Sequence, residues 1–178
     1  DYKKMITMNL KNIDNIILVI GKTEGHIDQS IFSREILNEK NGPPPEINLF
    51  NEKNNGETIL NLIKKGYVKS AHDVSVGGIL TAVTKMCIKG KKGIKLNKPN
   101  YLINQFEYLF GEDQGRYLIE IEKKNLKNVK EILERGSVHF DELATIIKDD
   151  IIIDNKSKVS IEELIISNNN WLTKYMSK

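Results

Sequence analysis

Ser70-Ala71-His72-Asp73-Val74-Ser75-Val76-Gly77-Gly78 separates a strand-like run, Tyr67 to Ala71, from the amphipathic repeat Ile79, Leu80, Val83, Met86 and Cys87. The first side of this junction reads as a β-strand and the second as a helix with an apolar stripe, closed at Gly90. Two adjacent glycines at the helix start allow close approach of a second group to the backbone, and N–H groups of a first helical turn favour an anion. A phosphate is therefore one expected occupant. His72 and Asp73 are expected to enter the loop at the strand end, where they either meet a polar ligand or bond each other and the turn.

The same alternation continues outward in both directions. Asn15 to Ile20 is a short apolar run ending at Gly21, the pattern of a buried strand that delivers Gly21-Lys22-Thr23-Glu24-Gly25-His26 to a surface. Ser30 is expected to cap a helix carrying Phe32, Ile36 and Leu37 on one face, which stops before the stiff spacer Gly42-Pro43-Pro44-Pro45. Ile59, Leu60, Leu62 and Ile63 hold helical spacing up to Gly66. Further strands are expected at Gly93 to Leu96, Tyr117 to Ile121 and Ile151 to Ile153, and a helix over Leu126 to Leu133. Ser160 with Glu163 forms a capping box for a last helix, whose Trp171 and Tyr175 are expected to dock the tail onto the domain. The pattern predicts an α+β fold, a three-layer α/β/α sandwich.

Phe110-Gly111-Glu112-Asp113-Gln114-Gly115-Arg116 gathers two carboxylates, an amide and a guanidinium in a glycine-bounded loop before a strand. Such a cluster either binds substrate or orders its surroundings through a local ion pair with Arg116. His26 and His139 lack partners at metal-ligand spacing. Lys89, Lys91, Lys92, Lys95 and Lys98 follow a helix C-terminus, where a solvated basic face suits the helix dipole. With 27 basic against 24 acidic residues and 7% aromatics, the composition speaks against nucleic-acid binding. No apolar run approaches the roughly 18 to 20 residues of a membrane span. Cys87 reads as a buried structural thiol, which fits a reducing cytoplasm. No phosphate loop of the Gly-x-x-x-x-Gly-Lys type and no nucleophile elbow is present.

Taken together, Gly21-Lys22-Thr23-Glu24-Gly25-His26, Gln29-Ser30, Pro43-Pro44-Pro45, Ser70 to Ser75, Gly77-Gly78, Leu109 to Arg116 and the closing Trp171-Leu172-x-x-Tyr175-Met176 resemble the C-terminal part of the phosphoribosylformylglycinamidine synthase family. The resemblance implies a domain similar to the C-terminal domain of aminoimidazole ribonucleotide synthetase. It further implies an ATP- and magnesium-dependent enzyme that converts formylglycinamide ribonucleotide to its amidine with ammonia from glutamine. On that reading residues 1–13 are a linker from an upstream ATP-binding domain and residues 14–178 the domain itself. The catalytic histidine and the magnesium ligands would lie upstream, and a separate glutaminase subunit and a small bridging subunit would be partners. His72, Asp73, Ser75, Gly77, Gly78, Glu112, Asp113, Gln114 and Arg116 are then the expected substrate- or phosphate-binding residues, with no catalytic or metal-ligating residue in this chain. Asp28 and Val76 depart from the family pattern, which usually has Gly and Asp there, so a direct role for position 76 is in doubt. The alternative is a scaffold domain of the same complex whose site has decayed.

Overall fold

A strand that is apolar at every position needs cover on both faces, because successive side chains point to opposite sides. In the computed structural model, which describes residues 4–97, 103–154 and 157–177, β1 (Ile16–Ile20) is such a strand and all five residues are buried. Ile17 and Val19 enter one core, whereas Ile16, Leu18 and Ile20 enter the other.

β1 sits inside a seven-stranded sheet. The other strands are β2 (Val68–Val74), β3 (Gly93–Leu96), β4 (Arg116–Ile121), β5 (Phe140–Ile147), β6 (Ile151–Ile152) and β7 (Lys158–Val159), in the order β2-β4-β1-β5-β3-β6-β7. Pairing is antiparallel except between β3 and β6. One face carries α2 (Gly78–Gly90) through Ile79, Ala82, Val83, Met86 and Cys87, with α3 (Gln105–Phe110) and Ile161 of α5 (Ile161–Met176). The opposite face carries α1 (Leu49–Lys64) through Ile59 and Leu62, and α4 (Leu126–Arg135) through Val129 and Leu133. The result is the expected α+β fold in three layers.

Several local expectations change. β2 continues through His72 and Asp73 to Val74, because β4 pairs with it residue by residue as far as Arg116. The segment after Ser30 is capped as expected, with Ser30 Oγ accepting the Ser33 N–H at 3.1 Å, but it winds as a π-helical turn over Ser33–Leu37. There Ile36 and Leu37 are exposed, and only Phe32 turns inward, stacking on Phe110 at 4.6 Å between ring centroids. β5 and α3 have no clear periodic signature in the sequence. Trp171 and Tyr175 do not dock the tail: they are 59% and 68% exposed, and their rings lie 6.2 Å apart between centroids. Ser160 does cap α5, accepting the Glu163 N–H at 3.4 Å. Lys98 and residues 1–3 lie outside the described residues.

The segment before β1 takes part in the packing. Leu10 is buried against α2, where Gly90 lets the two backbones meet. The buried Glu120 carboxylate accepts from the N–H groups of Lys11 and Asn12, at 2.9 and 3.1 Å, and from the Asn15 amide and the Ser70 hydroxyl, at 2.6 and 2.7 Å. A carboxylate buried without a facing cation is tolerable only when donors surround it in this way.

Candidate functional site

Antiparallel register brings the quoted motifs together. Ile20 pairs with Tyr117 and with Phe140, and Val74 pairs with Arg116. The ends of β1 and β2 and the start of β4 therefore share one end of the sheet, and the loops 21–26, 75–77 and 111–115 lie side by side there.

The two carboxylates of the Glu112-Asp113 pair knit these loops together. Glu112 Oε1 accepts the Gly77 N–H at 2.9 Å and the Ile31 N–H at 2.8 Å, and the Glu112 N–H donates to the His26 carbonyl at 2.8 Å. Asp113 accepts the consecutive N–H groups of Glu24, Gly25 and His26 at 3.2, 3.1 and 3.0 Å. Arg116, with its side chain fully buried, donates to the carbonyls of Asp113 and Gly111 and to Thr23 Oγ1, and pairs with the Asp113 carboxylate at 3.3 Å. Burial pulls the Arg116 guanidinium below its usual pKa, and the Asp113 charge opposes that shift. Arg116 thus positions the loop. Its guanidinium has no exposed face.

The glycine pair has an internal partner as well. A Cβ on Gly78 would lie 2.7 Å from the Gly111 carbonyl oxygen and 2.8 Å from that of Leu109, so the close backbone approach is made by the chain itself. Gly77 and Gly78 both have positive φ, at 87° and 67°. The Gly77 N–H has an anionic acceptor from within the chain, the Glu112 carboxylate, which the neighbouring loop supplies at hydrogen-bonding distance. His72 Nδ1 and Asp73 Oδ1 are 2.9 Å apart, while the buried His72 Nε2 has no hydrogen-bond partner among the described residues. Ser75 and Val76 are exposed.

On the other side of the loop 111–115 opens a cleft of about 600 Å³, walled by Pro43 to Pro45, the start of α1 and the loops that Asp113 organises. Lys22, His26, Gln114, Asn51 and Asn55 line it. Of the expected site residues, Asp113 and Gln114 are among those that line this cleft, and His72, Asp73, Ser75, Gly77 and Gly78 are not. Lys22 and Glu24 form an exposed ion pair, Asn55 Nδ2 donates to the Gly115 carbonyl at 2.9 Å, and His26 Nε2 lies 2.9 Å from the Pro43 carbonyl oxygen. Asn51 and Asn55 escaped the sequence reading because they sit inside a polar helix where no spacing marks them. Lys22 and His26 carried the family resemblance without suggesting which way they face. Among the described residues no group of three or more His, Cys, Asp or Glu side chains is placed to hold a metal ion. Cys87 is fully buried and burial pushes its thiol up to about 12, as befits a structural thiol.

The family model described as "AIR synthase related protein, C-terminal domain" matches residues 12–154. The phosphoribosylformylglycinamidine synthase subunit PurL of Pelagibacter ubique is 72% identical over 176 residues, and that of Bartonella tribocorum is 41% identical over 179. These alignments take in 99% and 100% of this chain but 24% of each relative, so the chain spans about a quarter of the length of the curated relatives it matches. Among solved structures, T. maritima PurL complexed with FGAR superposes with a TM-score of 0.75 at 20% identity, over 92% of this chain and 30% of that one. The complex with ATP matches with a TM-score of 0.69 at 19% identity, and PurLQS from Thermotoga maritima with 0.68 at 20%, over 92% of this chain and 27% and 28% of those. These last likenesses bear on the fold, whereas the family model covers β1 to β6, the motif loops and α1 to α4. The chain belongs to the family of AIR synthase related proteins, as their C-terminal domain.

Proposed function

We propose that this domain is one part of a phosphoribosylformylglycinamidine synthase subunit, in which it forms one wall of a ligand cleft and is not catalytic by itself. The observation that carries this reading is the single sheet end at which three motif loops are cross-tied by Glu112, Asp113 and Arg116 beside an open cleft. Cross-tied loops presenting Lys22, His26 and Gln114 to one side of an open cleft suit a half-site. Ile47, Leu49 and Phe50, 64%, 76% and 78% exposed beside that cleft, are apolar side chains of the kind a second domain covers. Relatives that share the whole chain but are about four times longer agree with a missing remainder.

In the complete enzyme ATP would activate the amide oxygen of formylglycinamide ribonucleotide for attack by ammonia. On the same reading, magnesium would be held by other domains of the complete subunit. This chain's own contribution is to hold Lys22 and Gln114 toward an anionic or polar ligand, with Asp113 and Arg116 fixing the loops that carry them. A separate glutaminase, a small bridging subunit and a cytoplasmic setting belong to the same reading. No helix among the described residues is long and apolar enough to cross a membrane.

The test compares amidine formation from ATP, magnesium and ammonium by the 178 residues alone and by the complete subunit. Turnover by the complete subunit only is expected, and turnover by the short chain would overturn the half-site. In the complete subunit Lys22→Ala and Gln114→Ala should raise KM for nucleotide or substrate about tenfold, equivalent to roughly 1.4 kcal/mol. Unchanged KM in both variants would favour a scaffold domain whose own cleft is idle.

A further inference from the structure

α5 is longer than the surface it covers. At 1.5 Å per residue its 16 residues extend about 24 Å. Ile161, Leu164 and Ile165 pack into the core that α2 builds, but every residue from Ile166 to Met176 is exposed. The exposed part is not polar all round. With about 100° between successive residues, Trp171, Leu172, Tyr175 and Met176 fall on the same side of the helix as Ile161, Leu164 and Ile165. This side of α5 is therefore docked at its start, interrupted at Asn168, and open at its end, where it carries a second apolar patch. The four open side chains are 59%, 53%, 68% and 75% exposed. Asn168, Asn169, Asn170 and Lys174 make up most of the rest of this half, so charge does not attract the missing cover.

We infer that the free half of α5 seats its Trp171-Leu172-Tyr175-Met176 stripe in an apolar groove on the part of the parent polypeptide outside these 178 residues. Two observations select that occupant. The open patch lies on the same side of α5 as the residues packed into the α2 core, so whatever covers it lies against the same face of this domain. About three quarters of the length of the relatives is outside this chain, which provides a covalently tethered surface at high effective concentration. Trp and Tyr one turn apart are anchors of the type that dominate helix-in-groove contacts.

The inference rests on the reading of this chain as one domain of a longer synthase subunit, and its test is separable from that reading. A photo-crosslinking p-benzoylphenylalanine replaces Trp171 in the complete subunit, and crosslinked peptides are mapped after irradiation. Crosslinks within one polypeptide, to a segment outside these 178 residues, are expected. Crosslinks between two copies at this same helix, or no crosslink, would overturn the inference. In parallel, Trp171→Ser with Tyr175→Ser should speed amide hydrogen exchange both in residues 166–176 and in the crosslinked segment. Exchange that changes only within α5 would count against docking. Amidine formation by the unsubstituted subunit reports on the functional reading alone, so an active subunit without the crosslink defeats only the docking, and an inactive one with it defeats only the function.

Discussion

Glu112 accepts the Gly77 N–H at 2.9 Å and thereby caps a helix that begins 34 residues earlier in the chain, at Gly78. The anion beside the N-cap of α2 is thus part of the protein. The loop 111–115 is tied to the turn 75–77 by the charge a phosphate would otherwise have carried.

Removing that charge exposes the competition. Glu112→Ala leaves the N–H groups of Gly77 and Ile31 without their acceptor and should cost about 2 to 3 kcal/mol in urea denaturation. Sulfate or phosphate should then raise the melting temperature of the variant more than that of the parent, as the freed helix start takes up the ion. Equal salt responses in the two proteins would show that Glu112 does not occupy an anion position.

Gly78 and Gly66 separate backbone strain from collision. Both have positive φ, 67° and 77°, but a Cβ at Gly78 meets the backbone of Leu109 to Gly111 within 2.8 Å, whereas nothing lies within 4 Å at Gly66. Gly66→Ala should cost about 1 kcal/mol from strain alone, and Gly78→Ala roughly 3 kcal/mol or more because the opposing backbone must move. Comparable losses in denaturant titrations would refute the close approach.

The Glu120 network makes a prediction about the N-terminal segment. A Gln at this position retains one acceptor but turns an amide N–H₂ toward donors, so Glu120→Gln should lose about 2 kcal/mol and Glu120→Ala about 4 kcal/mol. Hydrogen exchange at the Lys11 and Asn12 amides should rise in both. Unaltered protection there would mean that the carboxylate does not hold this segment.

Asp141 supplies a pH dependence of defined sign. Burial pushes its carboxyl up to about 6 from an ordinary value of 3.8, so folding favours the protonated form. Its contribution is fully present below about pH 4 and is lost as pH rises through 6. Discounted for its partial exposure, the loss should be about 1 to 2 kcal/mol. Asp141→Asn should be more stable than the parent at pH 7.5, with the difference vanishing near pH 4. Parallel stability curves for the two proteins across this range would contradict the assignment.

Much of the architecture was legible in the residues themselves. The unbroken apolar run of β1 requires cover on both sides, the stripe from Ile79 to Cys87 requires a sheet beneath it, and together they dictate three layers. Local chemistry also marked the glycine-bounded turns and the Ser30 and Ser160 caps, because each of these depends on neighbours within a few residues. β5 and α3 were not legible, since tertiary pairing and burial, not a periodic pattern, define them. Trp171 and Tyr175 show the converse: their spacing marks a stripe but not the surface that covers it.

The candidate site divides along the same line. Sequence alone determined which residues gather chemistry, in the segments Gly21 to His26, His72 to Gly78 and Gly111 to Arg116. Only the tertiary structure decided that Glu112, Asp113 and Arg116 turn inward to tie loops while Lys22, His26 and Gln114 face the cleft. The reason is physical: a carboxylate serves a ligand or a backbone N–H equally well, and the choice depends on which donors the sheet register brings within 3 Å. For Asp113 those donors lie 87 to 89 residues away along the chain, beyond the reach of any local pattern.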